Sequence, residues 1–219
     1  MDEPRARRRD AREAMVHAQL RGRDITDLRV LAAMAAVPRD AFVAEHVRPQ
    51  AYDDHPLPIG AGQTISQPYI VARMTELLRV APGDRVLDIG TGSGYQAAIL
   101  AELGCQVTSV EREARLATEA AGRLADLGYG DRVTVVTGDG SLGRPGGAPW
   151  DGTVVAAAAP AIPEPLRVQL GEGRRLVIPV GTRREQELLV VERHGDEWLE
   201  TSDGACVFVP LIGEAGWPD

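Results

Sequence analysis

The residues best placed to do chemistry are a glycine-rich turn and two carboxylates that lie next to apolar runs. Residues 86–95 read Val-Leu-Asp-Ile-Gly-Thr-Gly-Ser-Gly-Tyr, so three glycines spaced two apart follow a short apolar run that contains Asp88. Glycine lets the backbone turn with positive φ and lets a ligand approach the main chain closely. A second apolar run, 107–110, ends at Glu111, 23 residues after Asp88. A carboxylate there can accept hydrogen bonds from ribose hydroxyls, so the pattern predicts a nucleoside-cofactor site.

The glycine spacing indicates which nucleoside cofactor the site takes. The dinucleotide fingerprint G-x-G-x-x-G places a pyrophosphate at a helix N-terminus, but here the third glycine comes one residue early. A carboxylate before the turn, at Asp88, suits a cationic amino group better than a phosphate. A further apolar run, 133–136, leads to Asp139 and Gly140, where an acidic side chain is placed to meet an adenine amino group. These features favour S-adenosylmethionine over NAD, with an ordinary strand–turn–helix connection as the alternative.

A polar loop before Pro68 is the second segment with chemical potential. Residues 58–68 read Pro-Ile-Gly-Ala-Gly-Gln-Thr-Ile-Ser-Gln-Pro, and proline is favoured in the first turn of a helix. A helix N-terminus offers unpaired N–H groups and the positive end of a dipole. The hydroxyl of Ser66 either caps this helix or takes part in binding an anion. Both interpretations are open from the sequence.

Composition predicts one domain and excludes several classes of protein. The chain has 219 residues, of which 44% are hydrophobic, enough to bury a sizeable core. We expect a single domain over 1–219, with an N-terminal helical and substrate-loop region at 1–80 and a cofactor-binding core with a C-terminal hairpin at 81–219. The net charge of -8 argues against a general nucleic-acid binder, which needs a basic surface.

The sequence contains no long apolar segment and no cluster of Cys or His, which bears on localisation and metal binding. No apolar run approaches the ~20 residues that span a bilayer, and the Arg-rich N-terminus has no apolar segment behind it, unlike a secretory signal. Cys105 and Cys206 are isolated, and the four histidines stand alone. The sequence therefore predicts a cytoplasmic protein without a metal site and without a membrane partner.

The N-terminal third is predicted to be helical, with one irregular stretch. Apolar periodicity indicates helices over 10–22 and 27–36, the second with Thr26 as N-cap. Residues 39–67 are rich in Asp, Pro and Gly and are predicted to be irregular. Pro68 opens a third helix.

From residue 85 onward, predicted strands alternate with predicted helices. The strands lie near 85–89, 106–111, 132–137, 150–157 and 174–180. The helices lie near 94–104, 113–127 and 162–170. This alternation is typical of βαβ units, which build a parallel sheet with helices on both faces. The last two apolar runs, 187–192 and 205–211, are predicted to form a hairpin at the sheet edge.

These motifs resemble those of the protein-L-isoaspartate (D-aspartate) O-methyltransferases over nearly the whole chain. The resemblance is carried by the segments 19–21, 37–39, 52–54, 63–69, 86–96, 138–140, 157–160, 176–181 and 208–211. The glycine motif is shared by most class I methyltransferases, whereas the loop with Thr64, Ile65 and Ser66 is highly specific to this family. Two departures lie near the expected substrate cleft: Ala61 replaces a common His, and Ala156 stands where Thr or Gly is usual.

The resemblance implies a fold and a set of site residues. The fold is that of a class I S-adenosylmethionine-dependent methyltransferase: α/β, with a Rossmann-like, mostly parallel seven-stranded sheet, an N-terminal helical addition and a C-terminal antiparallel hairpin. Ser66 is implied to be the catalytic residue. The implied cofactor-binding residues are Thr64, Ile65, Ser66, Gln67, Asp88, Gly90, Thr91, Gly92, Glu111, Arg112, Asp139 and Gly140. The implied substrate-binding residues are Thr64, Ser66, Val207 and Val209.

The implied reaction is methylation of the carboxylate of an isoaspartyl or aspartyl residue in a protein or peptide. S-adenosyl-L-homocysteine is the other product, and the methyl ester collapses to a succinimide. No strong base is needed, because the carboxylate is already ionised at neutral pH. Two purposes stay open: repair of many damaged proteins, or maturation of one precursor peptide through an aspartimide, for which the acidic chain favours a basic peptide. A cofactor-binding module without catalysis is the third hypothesis. A monomer is expected.

Overall fold

The N-terminal part of the chain is helical and ends in a small hairpin. The computed structural model describes residues 3–219, with side chains from residue 6 onward. Its elements up to residue 78 are α1 (Glu3–Ala14), a π-helical turn (Met15–Arg21), α2 (Leu28–Ala36), two 3-10 turns (Arg39–Phe42 and Glu45–Gln50), the strands β1 (Leu57–Gly60) and β2 (Gln63–Ile65), and α3 (Pro68–Leu78). β1 and β2 pair antiparallel.

Several N-terminal details differ from the sequence prediction. The first helix begins before residue 10, because Ala, Arg and Glu favour a helix even where no apolar stripe marks one. Asp27 and not Thr26 is the N-cap of α2: its carboxylate accepts from the amide of Arg29. The amide and hydroxyl of Thr26 donate to Glu76 instead. The stretch 39–67 is not wholly irregular, since it holds both 3-10 turns and the β1–β2 hairpin. Pro68 opens α3 as predicted.

Seven strands form the main sheet, and the predicted α/β alternation is confirmed. The strands are β3 (Arg85–Ile89), β4 (Gln106–Glu111), β5 (Val133–Thr137), β6 (Trp150–Val155), β7 (Leu170–Gly181), β8 (Gln186–His194) and β9 (Glu197–Cys206). The helices are α4 (Tyr95–Glu102), α5 (Ala114–Asp126) and α6 (Glu164–Val168). Strand order is β5-β4-β3-β6-β7-β8-β9. The pairs from β5 to β7 are parallel, whereas β8 and β9 are antiparallel.

The predicted position of the last strand is wrong. The apolar run 205–211 suggested a strand there, but β9 spans Glu197–Cys206. As the edge strand it is mostly exposed and therefore mostly polar, so apolar content does not mark it. Beyond it the chain leaves the sheet, and the backbone of Val209 and Leu211 hydrogen-bonds that of Ala158.

Two apolar cores hold the sheet from its two faces. Successive residues of a strand point to opposite faces, and in β3 Val86 belongs to one core while Leu87 belongs to the other. Both side chains are fully buried. The chain runs outward from β3 to β5 and returns to β6 beside β3. At such a switch point the connections diverge and leave a crevice at the carboxyl ends of the strands.

Candidate active site

Two clefts meet at the carboxyl ends of the central strands. The first, here called the strand-end cleft, encloses about 950 Å³ including the part open to solvent. Predicted site residues that line it are Thr64, Ile65, Ser66, Gly90, Thr91, Gly92, Glu111, Arg112, Gly140 and Val209. Sequence reasoning predicted these residues from segments up to 145 positions apart, and the fold brings them to one place.

The glycine turn forms the floor of this cleft. Gly90 and Gly92 have φ values of 88° and 52°. Residues other than glycine adopt this backbone conformation only at a cost in free energy. The amide of Gly92 donates to Glu111 Oε2 at 2.8 Å, and the amide of Glu113 donates to Glu111 Oε1 at 3.0 Å. Two backbone donors therefore hold the Glu111 carboxylate at the end of β4. Each oxygen keeps a further lone pair for a hydroxyl donor.

Asp88 lies under the turn, fully buried, and does not line the cleft. Asp88 is linked to the cleft by two hydrogen bonds in series. Ser109 Oγ donates to Asp88 Oδ2 at 2.6 Å and lies 2.5 Å from the hydroxyl oxygen of Thr91. Thr91 lines the cleft. Asp88 Oδ1 has no hydrogen-bond partner among the described residues. Burial raises the pKa of Asp88 to about 7, opposed by the Ser109 hydrogen bond and reinforced by the charge of Glu111.

Asp139 also lies off the cleft wall, because its carboxylate is engaged by the end of the chain. Oδ1 accepts from the amide and hydroxyl of Ser141, and Oδ2 accepts from the amide of Glu214 at 2.7 Å. Burial acts to raise the pKa of Asp139, but these hydrogen bonds outweigh it and the pKa is lowered. Binding of an adenine amino group by Asp139 stays a prediction.

The segment 211–219, here called the C-terminal segment, closes one side of the strand-end cleft. Leu211 and Ile212 line the cleft. Arg112 donates to the carboxylate of Asp219 at 2.7 Å, and the guanidinium of Arg183 lies 5.1 Å from the ring of Trp217. Sequence reasoning missed this segment, because it has no regular structure and no recognised motif. Its one signal was the cluster of Gly213, Gly216 and Trp217 after the last apolar run.

A second cleft, here called the outer cleft, opens beside Ser66. Thr64, Ser66, Ala156 and Val209 line both clefts, so the two spaces share a wall. Gln67 and Val207 line the outer cleft alone, and the side chain of Val207 is exposed. Ala61, in the turn between β1 and β2, lines neither cleft.

The capping interpretation of Ser66 is wrong in this structure. The N-cap residue of α3 is Gln67, whose side chain makes no capping hydrogen bond, and the amide of Tyr69 in the first turn donates to Asp54 and not to Ser66. Among the described residues the Ser66 hydroxyl has no hydrogen-bond partner, although it lies where the two clefts meet. A free hydroxyl at that junction can donate to an anionic group in either cleft.

The geometry suits an adenosyl group better than a phosphate. Glu111 offers acceptors for a diol, and Ile89, Val110 and Ile212 supply apolar wall. Below the turn, the buried Asp88 Oδ1 accepts no hydrogen bond from the described residues. No group of three His, Cys, Asp or Glu side chains in residues 6–219 is arranged to hold a metal ion. No helix in the same part of the chain has the length and apolar character needed to cross a bilayer.

Known sequences similar to this chain share one description. A family model described as protein-L-isoaspartate(D-aspartate) O-methyltransferase matches residues 10–216. A protein-L-isoaspartate O-methyltransferase of Methanoregula boonei is 53% identical over 210 residues, 96% of either chain. Protein-L-isoaspartate O-methyltransferase 2 of Marinobacter nauticus is 56% identical, over 95% of this chain and 96% of its own.

Solved structures agree with the sequence matches. A protein-L-isoaspartate O-methyltransferase superposes with a TM-score of 0.84 at 27% identity, covering 94% of this chain and 67% of that one. A putative member from Plasmodium falciparum, solved with S-adenosyl-L-homocysteine, has the same fold, with a TM-score of 0.78 at 24% identity over 92% of this chain and 98% of its own. The chain belongs to the protein-L-isoaspartate(D-aspartate) O-methyltransferase family.

Proposed function

We propose that the enzyme methylates the free carboxylate of isoaspartyl residues in proteins, with S-adenosyl-L-methionine as methyl donor. The observation that carries the proposal is the wall shared by the two clefts. The Ser66 hydroxyl lies in this wall and has no hydrogen-bond partner among the described residues. A methyl donor in the strand-end cleft and a peptide in the outer cleft would meet at that wall. The family membership supports the same reaction.

The strand-end cleft supports a defined role for its residues. Glu111 would accept hydrogen bonds from the ribose hydroxyls, and the apolar wall near Ile212 would cover the adenine ring. Asp88 and the turn above it would favour the cationic amino group. When bound, the cofactor supplies a methyl group on a positively charged sulfur, so a neutral or acidic surround suits it better than a basic one.

The outer cleft would hold the acceptor. The Ser66 hydroxyl would donate a hydrogen bond to the substrate carboxylate and fix its direction of approach, and most of the rate gain would come from this positioning. A hydroxyl leaves the carboxylate more nucleophilic than a paired arginine would, because it does not neutralise the charge. Closing the walls on the peptide would exclude water from two opposite charges that cancel as they react.

The deciding experiment compares an isoaspartyl hexapeptide with its aspartyl isomer in the same methyl-transfer assay. We expect turnover of the isoaspartyl form and little of the aspartyl form. Equal or better turnover of the aspartyl peptide would favour the alternative, a methyltransferase that drives aspartimide formation in one precursor peptide. The net charge of -8 suits a basic peptide in that case, so a lysine-rich aspartyl peptide is the third substrate. Absence of transfer to all three would contradict the proposal.

A further inference from the structure

We propose that Asp54 is a positioning residue that holds the acceptor side of the active site. Three groups donate to its carboxylate. Gln67 Nε2 and Arg23 Nη1 each donate to Oδ2 at 3.0 Å, and the amide of Tyr69 donates to Oδ1 at 3.3 Å. The proposal rests on the proposed function, since it assigns Asp54 to the peptide and not to the cofactor.

These three partners are all part of the outer cleft. Arg23, Gln67 and Tyr69 line that cleft, whereas Asp54 lies behind them with 27% of its side chain exposed. The partners also contact each other, because the Arg23 guanidinium lies 3.4 Å from the centre of the Tyr69 ring. None of the three lines the strand-end cleft. The direct partners of Asp54 therefore belong to the outer cleft and not to the strand-end cleft.

Two of the contacts lie just after Ser66 in the chain. Gln67 directly follows Ser66, and Tyr69 lies in the first turn of α3. Ser66 itself has no side-chain hydrogen bond among the described residues, so its position depends on its neighbours. By fixing the next residue and the start of α3, Asp54 would set where the Ser66 hydroxyl points. A displacement of about 1 Å at such a group can cost on the order of a hundredfold in rate.

Only a carboxylate satisfies all three donors. Asparagine has nearly the same shape, but one of its two terminal groups is itself a donor. If the oxygen of an asparagine side chain at this position faced Gln67 and Arg23, its NH2 would oppose the amide of Tyr69. If the oxygen faced Tyr69, the NH2 would oppose the other two donors. Asp54→Asn thus removes a specific arrangement of acceptors while changing little volume.

The neighbouring Asp53 provides a matched control. Its side chain is 60% exposed and lies 3.7 Å from the imidazole of His55, its only side-chain partner among the side chains described from residue 6 onward. Asp53→Asn makes the same chemical change one position away, outside the wall. Any effect of lost charge alone would appear in both variants.

The experiment measures methyl transfer to an isoaspartyl hexapeptide and binding of S-adenosyl-L-homocysteine for wild type, Asp54→Asn and Asp53→Asn. We expect kcat/KM for the peptide to fall at least tenfold in Asp54→Asn, with KM raised as well as kcat lowered. Cofactor-product affinity should stay within twofold, and Asp53→Asn should match wild type. Peptide kinetics unchanged in a folded Asp54→Asn, or a parallel loss of cofactor-product affinity, would overturn the proposal.

Two further measurements keep the test decisive. If Asp54→Asn does not fold, Asp54→Glu keeps both acceptors but moves them by one methylene, and we expect kcat/KM to fall about threefold or more; unchanged kinetics would overturn the proposal. If wild type methylates no isoaspartyl peptide, the proposed function fails separately. Deuterium uptake of residues 64–70 then tests Asp54: we expect faster exchange in Asp54→Asn than in Asp53→Asn, and equal exchange would contradict it.

Discussion

Asp88→Asn is expected to make the free enzyme increasingly stable relative to wild type as the pH rises. Burial raises the pKa of the Asp88 carboxyl from 3.8 to about 7. A carboxyl whose pKa is raised on folding is favoured by the fold when protonated, so its contribution is fully present below pH 3.8 and is lost as the pH rises through about 7. Asparagine mimics the protonated form in shape and cannot ionise.

The magnitude follows from the difference between the two pKa values. A shift of about 3 pKa units corresponds to about 4 kcal/mol of unfolding free energy at pH 8, as an upper estimate for a buried group. At pH 5 the unfolded chain gains only about 1.5 kcal/mol from ionising the same carboxyl. The advantage of Asp88→Asn over wild type should therefore grow by about 2–3 kcal/mol between pH 5 and pH 8.

Urea unfolding of the cofactor-free proteins at pH 5, 6, 7 and 8 measures this growth directly. Asp126→Asn, at the exposed end of α5, is the control for the removal of one negative charge. The growth with pH is the diagnostic quantity, because any fixed cost of the amide in the Ser109 hydrogen bond adds equally at every pH. If the free energies of unfolding of wild type and Asp88→Asn change in parallel with pH, burial does not disfavour the ionised form of Asp88 and the prediction is refuted.

Three further variants test the site. Ser66→Ala should lower kcat about ten- to a hundredfold without changing the melting temperature, because the hydroxyl caps nothing; a fully active variant in single-turnover assays would show that the hydroxyl does not position the substrate carboxylate. Glu111→Gln should weaken S-adenosyl-L-homocysteine binding by about 1.5–3 kcal/mol, and calorimetry showing equal affinity would mean that the ribose lies elsewhere. Gly213→Ala places a Cβ well inside van der Waals contact with Asp139 Oδ1, so the C-terminal segment must lift and cofactor-product release, followed by stopped flow, should speed up several-fold. Gly146→Ala, which meets nothing within 4 Å, should release it at the wild-type rate.

The parts of the site that the sequence predicts are those where chemistry and backbone geometry are local. Gly90, Gly92 and Glu111 line the strand-end cleft because an apolar run determines a strand, and the carboxyl ends of parallel strands lie at one edge. The apolar runs that predict β3 and β4 are the residues that these strands mostly bury. These residues needed no knowledge of distant contacts.

The parts that escaped prediction depend on contacts between distant segments. Whether a carboxylate at a strand end faces the cleft or the core is decided by packing, so Asp88 and Glu111 look alike in the sequence and differ in the fold. Asp139 meets the amide of Glu214, which is 75 residues away. The role of Asp54 requires Arg23 and Gln67 to converge from two different elements. No local pattern encodes such convergence.

The hydrogen bonds that hold Asp139 have a consequence for the chemical ageing of the enzyme itself. The chain contains no Asn, and its Asp–Gly sequences begin at Asp139, Asp151 and Asp203. Isoaspartate arises when the following amide nitrogen attacks the side-chain carboxyl, which must be free to rotate. Asp151 accepts from the amide of Arg85 and pairs with Arg174, and Asp203 accepts from both Nε and Nη2 of Arg73. Folding thus restrains each of these carboxyls, so at these three sites the tertiary structure of the enzyme opposes the reaction that produces isoaspartate.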